Sequence, residues 1–227
     1  MSIKKHIPDL LTLANLFCGV LGIVEASKGN LQSASYLIWI AAVFDFFDGF
    51  AARMLKVSSP IGKELDSLAD MVTFGVLPSI IIYELAFPFV GEWAIISFSI
   101  SLFSALRLAK FNIDDRQLEQ FIGLPTPASA FFVSALPFIK NNQKYDLDFL
   151  VSGPALLILS IILSLLMVIK MPLFSLKFKD FKWENNMIRY IFVFASASLV
   201  VFLNIVAIPV IIILYLVMSL IDLKTSK

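Results

Sequence analysis

The chain has 227 residues, is 59% hydrophobic and 15% charged, and carries a formal net charge of +1. A soluble domain carries about 25% charged residues, so water is excluded as the solvent for most of this surface. The near-zero net charge argues against a polyanionic partner, and no nucleic acid is expected. Cys18, the single cysteine, permits no intrachain disulfide and reads as a small core residue.

Ahead of the first apolar run, His6 follows Lys4 and Lys5 and reads as interfacial. That run continues past signal-peptide length with no small-residue cleavage pattern after it, so no cleavable signal is expected. A spanning helix needs about 20 mostly apolar residues. On that criterion the sequence predicts eight spans, at about 9–27, 33–54, 66–86, 92–111, 126–140, 149–170, 187–204 and 206–223. The expected fold is all-α, a polytopic membrane helix bundle. It forms a single membrane domain over 1–227, with catalytic helices and loop at about 9–128 and additional C-terminal spans at about 129–227.

The cations orient this arrangement. Positive residues concentrate on the cytoplasmic side of a membrane. With the N-terminus inside, the outer segments hold only Lys28, Lys140 and Lys144, and the remaining 15 of the 18 basic residues face inward. Both termini are therefore expected in the cytoplasm, in a multi-pass protein of the inner cell membrane. Between the sixth and seventh spans, Phe174, Phe178, Phe181 and Trp183 interleave with lysines. That composition predicts a loop lying on an anionic lipid surface.

The second and third spans carry the chemistry. Asp45 and Asp48 are spaced i,i+3, and Asp66 and Asp70 i,i+4, so each pair shares a helix face. At about 100° per residue, with Asp45 at zero, Asp48 falls near −60°, Gly49 near +40° and Ala52 near −20°. The acids thus share their stripe with two small residues that let a ligand or helix approach the backbone. Gly62, Asp66 and Asp70 cluster likewise, whereas Glu64 points elsewhere and is left out of the site. Four facing carboxylates repel one another, and hard divalent cations, Mg²⁺ or Mn²⁺, relieve that repulsion. Two such ions can clamp a diphosphate. Packing salt bridges to Arg53, Lys56 and Lys63 are the plain alternative. A divalent-cation transporter is the alternative from another class; it predicts acids spread at mid-depth over several spans. Here the acids lie at the predicted cytoplasmic ends of two consecutive helices, which favours a site at the membrane–water boundary.

The run from Asp45 to Asp70 reads Asp-x2-Asp-Gly-x2-Ala-Arg-x8-Gly-x3-Asp-x3-Asp. It resembles the signature of the CDP-alcohol phosphatidyltransferase family at every fixed position. The resemblance implies two divalent cations held by Asp45, Asp48, Asp66 and Asp70, with Asp70 also the general base. It implies a CDP-diacylglycerol site that includes Gly49, Ala52, Arg53, Ser59 and Gly62. Thr12 and Asn15 resemble a Thr-x-x-Asn element that approaches the donor; on residue type alone they also read as helix-packing polar residues. The family often has Pro-Asn where this chain has Pro8-Asp9, which leaves the role of Asp9 open. A homodimer is implied as well.

The stretch Arg107-Leu-Ala-Lys110-Phe-Asn112, followed by Phe121-Ile-Gly123-Leu-Pro125-Thr126-Pro127-Ala128, resembles the membrane-embedded phosphatidylserine synthase branch of that family. The implied reaction joins CDP-diacylglycerol and L-serine to give phosphatidylserine and CMP, with phosphatidylglycerophosphate synthase as the alternative within the family. Arg107, Lys110, Asn112 and Thr126 are the candidates for acceptor or phosphate binding, since arginine suits a planar carboxylate bidentately. The competing expectation is that Arg107 and Lys110 snorkel to lipid headgroups. Gly123, Pro125 and Pro127 are expected to form a rigid turn against the site.

Overall fold

The computed structural model describes residues 6–57, 59–113, 121–140, 147–174 and 183–225. Helix α1 (Ile7–Ser27) buries Thr12, Asn15, Cys18, Gly19, Gly22 and Ala26, a stripe of small residues at helical spacing. Its other side exposes Leu10, Leu13, Phe17, Val20 and Val24, as a lipid-facing surface requires. Small stripes let membrane helices approach closely, and α1 packs along α2 (Leu31–Leu55) and against the helix that follows it. The approach is tightest at Gly19, where a Cβ would lie 3.1 Å from Thr73 Cα and strike its hydroxyl. Gly19→Ala should lower stability in detergent by about 1–3 kcal/mol, the usual range for overpacking. Thermal unfolding compared with wild type is the measurement.

The next helical rod begins earlier than the hydropathy implies. α3 (Pro60–Asp70) starts six residues before the expected boundary at 66 because Ser59 caps it, accepting from the Gly62 N–H at 2.8 Å, with Pro60 in the first position. A π turn (Met71–Val76) joins α3 to α4 (Leu77–Val90). The chain then reverses at Gly91, φ +56°, and returns through a 3₁₀ segment (Gly91–Phe98) and α5 (Ser99–Ile113). The antiparallel return is fixed by a hydrogen bond between the Ser79 and Ser101 hydroxyls at 2.7 Å. α4 is the central element: Leu77, Ile81, Ile82 and Leu85 are wholly buried among α1, α5 and the helices that follow.

After β1 (Phe121–Ile122), the single span expected over 126–140 is two short helices, α6 (Thr126–Ser134) and α7 (Leu136–Lys140). Pro137 has no N–H to give the Val133 carbonyl, so the ladder breaks there. A 3₁₀ turn (Asp148–Val151) leads into α8 (Gly153–Val168), and β2 (Pro172–Leu173) pairs antiparallel with β1, Phe121 opposite Leu173. α9 (Trp183–Leu203) and α10 (Ala207–Thr225) are joined by a 3₁₀ turn at Asn204–Val206, with Asn204 at φ +52°.

Among the described residues, four helical stretches are long and apolar enough to cross a membrane: Ile7–Ser27, Leu31–Leu55, Pro60–Ile113 and Asn186–Asp222. Gly153–Val168 is a shorter apolar helix. The protein is a polytopic membrane helix bundle. Within the loop expected on the lipid surface, Phe178 and Phe181 lie outside the described residues, and Trp183 is exposed. Phe174 differs from that expectation. It is buried, with its ring centroid 4.8 Å from that of Tyr215 and 5.8 Å from that of Phe192, because the β1–β2 ladder draws this end of the loop into the bundle.

Candidate active site

The α2 pair and the α3 pair meet where these helices pack beside the start of α1. One carboxylate oxygen from each of Asp45, Asp48 and Asp66 lies within 4.8 Å of the others. Asp70 stands one turn beyond Asp66, beside the Asp45 carboxyl. Asp48 and Asp70 are buried, at 6% and 9% exposure, and α1 orients both. The Thr12 hydroxyl donates to Asp48 Oδ2 at 2.7 Å, and Asn15 Nδ2 donates to Asp70 Oδ1 at 3.2 Å. The Thr73 hydroxyl in turn donates to the Asn15 backbone carbonyl at 3.2 Å. Among the described residues no salt bridge joins these acids to Arg53, Lys56 or Lys63. A group of closely spaced hard oxygen donors left unpaired by these three cations fits Mg²⁺ or Mn²⁺ in charge and ligand type.

A cavity of about 580 Å³ opens from the acids toward the first turns of α1 and α3. Such a volume suits a ligand of several hundred daltons. Thr12, Asp48, Gly49, Ala52, Ser59, Gly62 and Asp66 line it, together with Pro8, Asp9, Lys56, Val57 and Lys63. Arg53 is exposed and its guanidinium folds back over Gly49, 3.4 Å from where a Cβ would stand. Gly62 admits the close approach of Asp9, whose Oδ1 lies 3.1 Å from the position of a Cβ. Pro8, Asp9, Lys56, Val57 and Lys63 are the wall residues that the sequence did not assign to the site. Asp9 sits at i,i+3 from Thr12, a signal that helical angles alone could have used.

On the other side of Asp70 the structure brings in α5 and α6. Arg107 is 7% exposed, has the Asp70 carboxylate as its neighbouring opposite charge, and donates from Nη1 to the buried Thr126 hydroxyl at 3.4 Å. Its Nε has no partner. Burial excludes headgroup snorkelling for Arg107, whereas Lys110 is exposed. Asn112 ties α5 to α3: its Nδ2 donates to the Ser67 hydroxyl at 2.9 Å, and its backbone carbonyl accepts from Lys63 Nζ at 2.7 Å. Glu64 is exposed, and its nearest polar contact is Asn112 Nδ2 at 3.5 Å. The arrangement has a carboxylate cluster open to a ligand-sized cavity on one side and a buried guanidinium on the other. It can hold a cation-bound phosphate ester at the cluster and an anionic or polar acceptor at the arginine.

Comparison with known proteins gives the same direction. The profile of the CDP-alcohol phosphatidyltransferase family matches residues 5–173. The chain is 42% identical over 140 residues to a CDP-diacylglycerol–serine O-phosphatidyltransferase of Bacillus subtilis (strain 168), covering 60% of this chain and 78% of that protein. It is 35% identical over 196 residues to an enzyme of the same name from Helicobacter pylori (strain 26695), covering 83% and 79%. An archaetidylserine synthase of Methanothermobacter thermautotrophicus is 32% identical over 157 residues, covering 68% and 67%. With most of its length matched and the acidic cluster assembled at the matched positions, the chain belongs to the CDP-alcohol phosphatidyltransferase family.

Proposed function

We propose that this protein transfers the phosphatidyl group of CDP-diacylglycerol to L-serine, giving phosphatidylserine and CMP. The observation that carries the reading is the chain's similarity to two relatives named for that reaction. The buried, partly unpartnered Arg107 supports it, since a guanidinium held among helices matches a planar carboxylate.

Asp45, Asp48, Asp66 and Asp70 would hold two divalent cations, which when bound neutralise the diphosphate and stabilise charge on the departing phosphate. The cavity wall from Pro8 to Thr12 and from Gly49 to Lys63 takes the cytidine diphosphate part of the donor, while its acyl chains stay in the bilayer. Gly49, Ala52 and Gly62 let that group come close to the backbone, and Arg53 and Ser59 contribute polar contacts at its edge. Arg107 and Thr126 hold the serine carboxylate, with Lys110 and Asn112 on the outer side of the same helix end. Asp70, oriented by Asn15, takes the proton of the serine hydroxyl. The serine oxygen attacks the phosphorus that bears diacylglycerol, the bond from that phosphorus to the oxygen bridging to CMP breaks, and the electron pair leaves with CMP.

Purified protein given CDP-diacylglycerol and a panel of alcohols, with the lipid product identified by mass, tests the reading. Phosphatidylserine as the main product is expected. Phosphatidylglycerophosphate from glycerol 3-phosphate, or no CMP release at all, would overturn it.

Both termini lie in the cytoplasm in this proposal, the active site faces that side, and the protein works as a homodimer in the inner cell membrane. The uneven distribution of Lys and Arg supports the orientation. A single cysteine placed near Lys224, in a Cys18→Ser background, should resist impermeant thiol reagents in intact cells and react once the membrane is opened. Labelling from outside would reverse the topology.

A further inference from the structure

The turn at Gly123 is tied to the far end of the chain. Gly123 has φ +74°, and a Cβ there would lie 2.6 Å from the Met167 carbonyl and 3.1 Å from those of Leu166 and Ile169. Its N–H donates to the Met171 carbonyl at 2.9 Å, and the Leu124 N–H to the Leu166 carbonyl at 2.8 Å. These donors satisfy carbonyls at and just beyond the end of α8, which have no partner within that helix. The segment they grip continues into β2, which pairs with β1 immediately before Gly123. At the end of β2 the Tyr215 hydroxyl of α10 donates to the Phe174 carbonyl at 2.8 Å, and the two rings sit in one aromatic cluster with Phe192. Two residues after Leu124, Thr126 accepts from Arg107. An unbroken set of short contacts therefore runs from α10 through β2 and β1 to the guanidinium beside Asp70. The family profile ends at residue 173, so Tyr215 lies beyond it.

We infer that Gly123 and Tyr215 are positioning residues for the acceptor half of the site: the clip formed by β1, β2 and α10 sets where Thr126 holds Arg107. The inference rests on the proposed acceptor role of Arg107. The donor cavity has no wall residue in this clip. Disturbing the clip therefore displaces the acceptor contacts and leaves the donor contacts in place.

The test uses the full-length protein in detergent or vesicles, with KM for serine and for CDP-diacylglycerol measured separately. Tyr215→Phe keeps the ring cluster and removes the hydrogen bond; KM for serine should rise about three- to tenfold, the range for one such bond. Gly123→Ala places a Cβ against a carbonyl at positive φ and should raise it about tenfold or more. In both variants KM for the donor should stay within about twofold. Parallel rises in both constants, or unchanged constants in folded Tyr215→Phe protein, overturn the inference. Should Gly123→Ala fail to fold, Tyr215→Phe decides alone. If the wild type makes a lipid from another alcohol, the serine reading fails on that result, and the clip is judged by KM for the alcohol actually used.

Discussion

Asp66→Asn and Asp45→Asn should each reduce phosphatidyl transfer about a thousandfold or more, the loss expected when a metal that supplies several kcal/mol of transition-state stabilisation is displaced. Each exchange removes one of the three carboxylates that approach within 4.8 Å of one another, and with it a negative charge and a hard ligand. Exhaustive chelation of the wild type should give a comparable loss, restored by added Mg²⁺ or Mn²⁺. Glu64→Gln supplies the contrast. Glu64 is exposed on the same helix, and glutamine keeps the oxygen that faces Asn112, so a loss below about threefold is expected, as for a surface change of a few tenths of a kcal/mol. CMP release by detergent-stable protein is the readout. Activity that survives chelation would remove the metal from the mechanism, and equal loss in all three variants would show that the faces of α3 are wrongly assigned.

Arg107→Gln should weaken apparent serine affinity by roughly 10- to 150-fold, the equivalent of a charged hydrogen bond worth about 1.5–3 kcal/mol. Arg107→Lys should recover only part of this, because an ammonium cannot reproduce the two parallel donors of the guanidinium. Lys110→Gln should do much less, since Lys110 is exposed where Arg107 is buried. The Michaelis constant for CDP-diacylglycerol should move far less than that for serine in all three. A rise confined to the donor constant would assign Arg107 to the diphosphate and send the search for the serine pocket to Thr126 and its neighbours. The comparison needs folded protein, because removing Arg107 also leaves buried Thr126 without its donor.

The acidic site was legible because both pairs sit at helical spacing on consecutive elements, so angle arithmetic alone brings each pair to one face. The hydrogen bonds that orient the carboxylates were not: Thr12 reaches Asp48 across 36 positions and Asn15 reaches Asp70 across 55. The helix starts and stops fared according to how hydropathy weighs them. It reads Lys63 and Glu64 as polar and places the third span after them, from residue 66, although Ser59-Pro60 is a capping signal that starts α3 earlier. It also runs through Pro137, where a missing N–H divides α6 from α7. The β1–β2 ladder has two residues per strand, too few for any alternation to register. Its two segments are held side by side by contacts between elements distant in the chain, and a local reading cannot contain that.

The π turn at Met71–Val76 sets the rotational phase between two parts of one rod. Such a turn holds about one residue more than an α turn, and one residue is about 100° of rotation. α4 is locked by wholly buried side chains among its neighbours, so any change in the phase of the rod is expressed upstream, in the direction Asp66 and Asp70 face. Deleting any single residue between Met71 and Val76 would let the rod close into uninterrupted α-helix. α4 would keep its seat, and both acids would keep nearly their present direction, because the wide turn and the α turn that replaces it each complete one revolution. This stretch therefore tolerates the loss of a residue better than the gain of one: a one-residue insertion continued as α-helix would turn both acids by about 100° and undo the site while every carboxylate remained in the sequence.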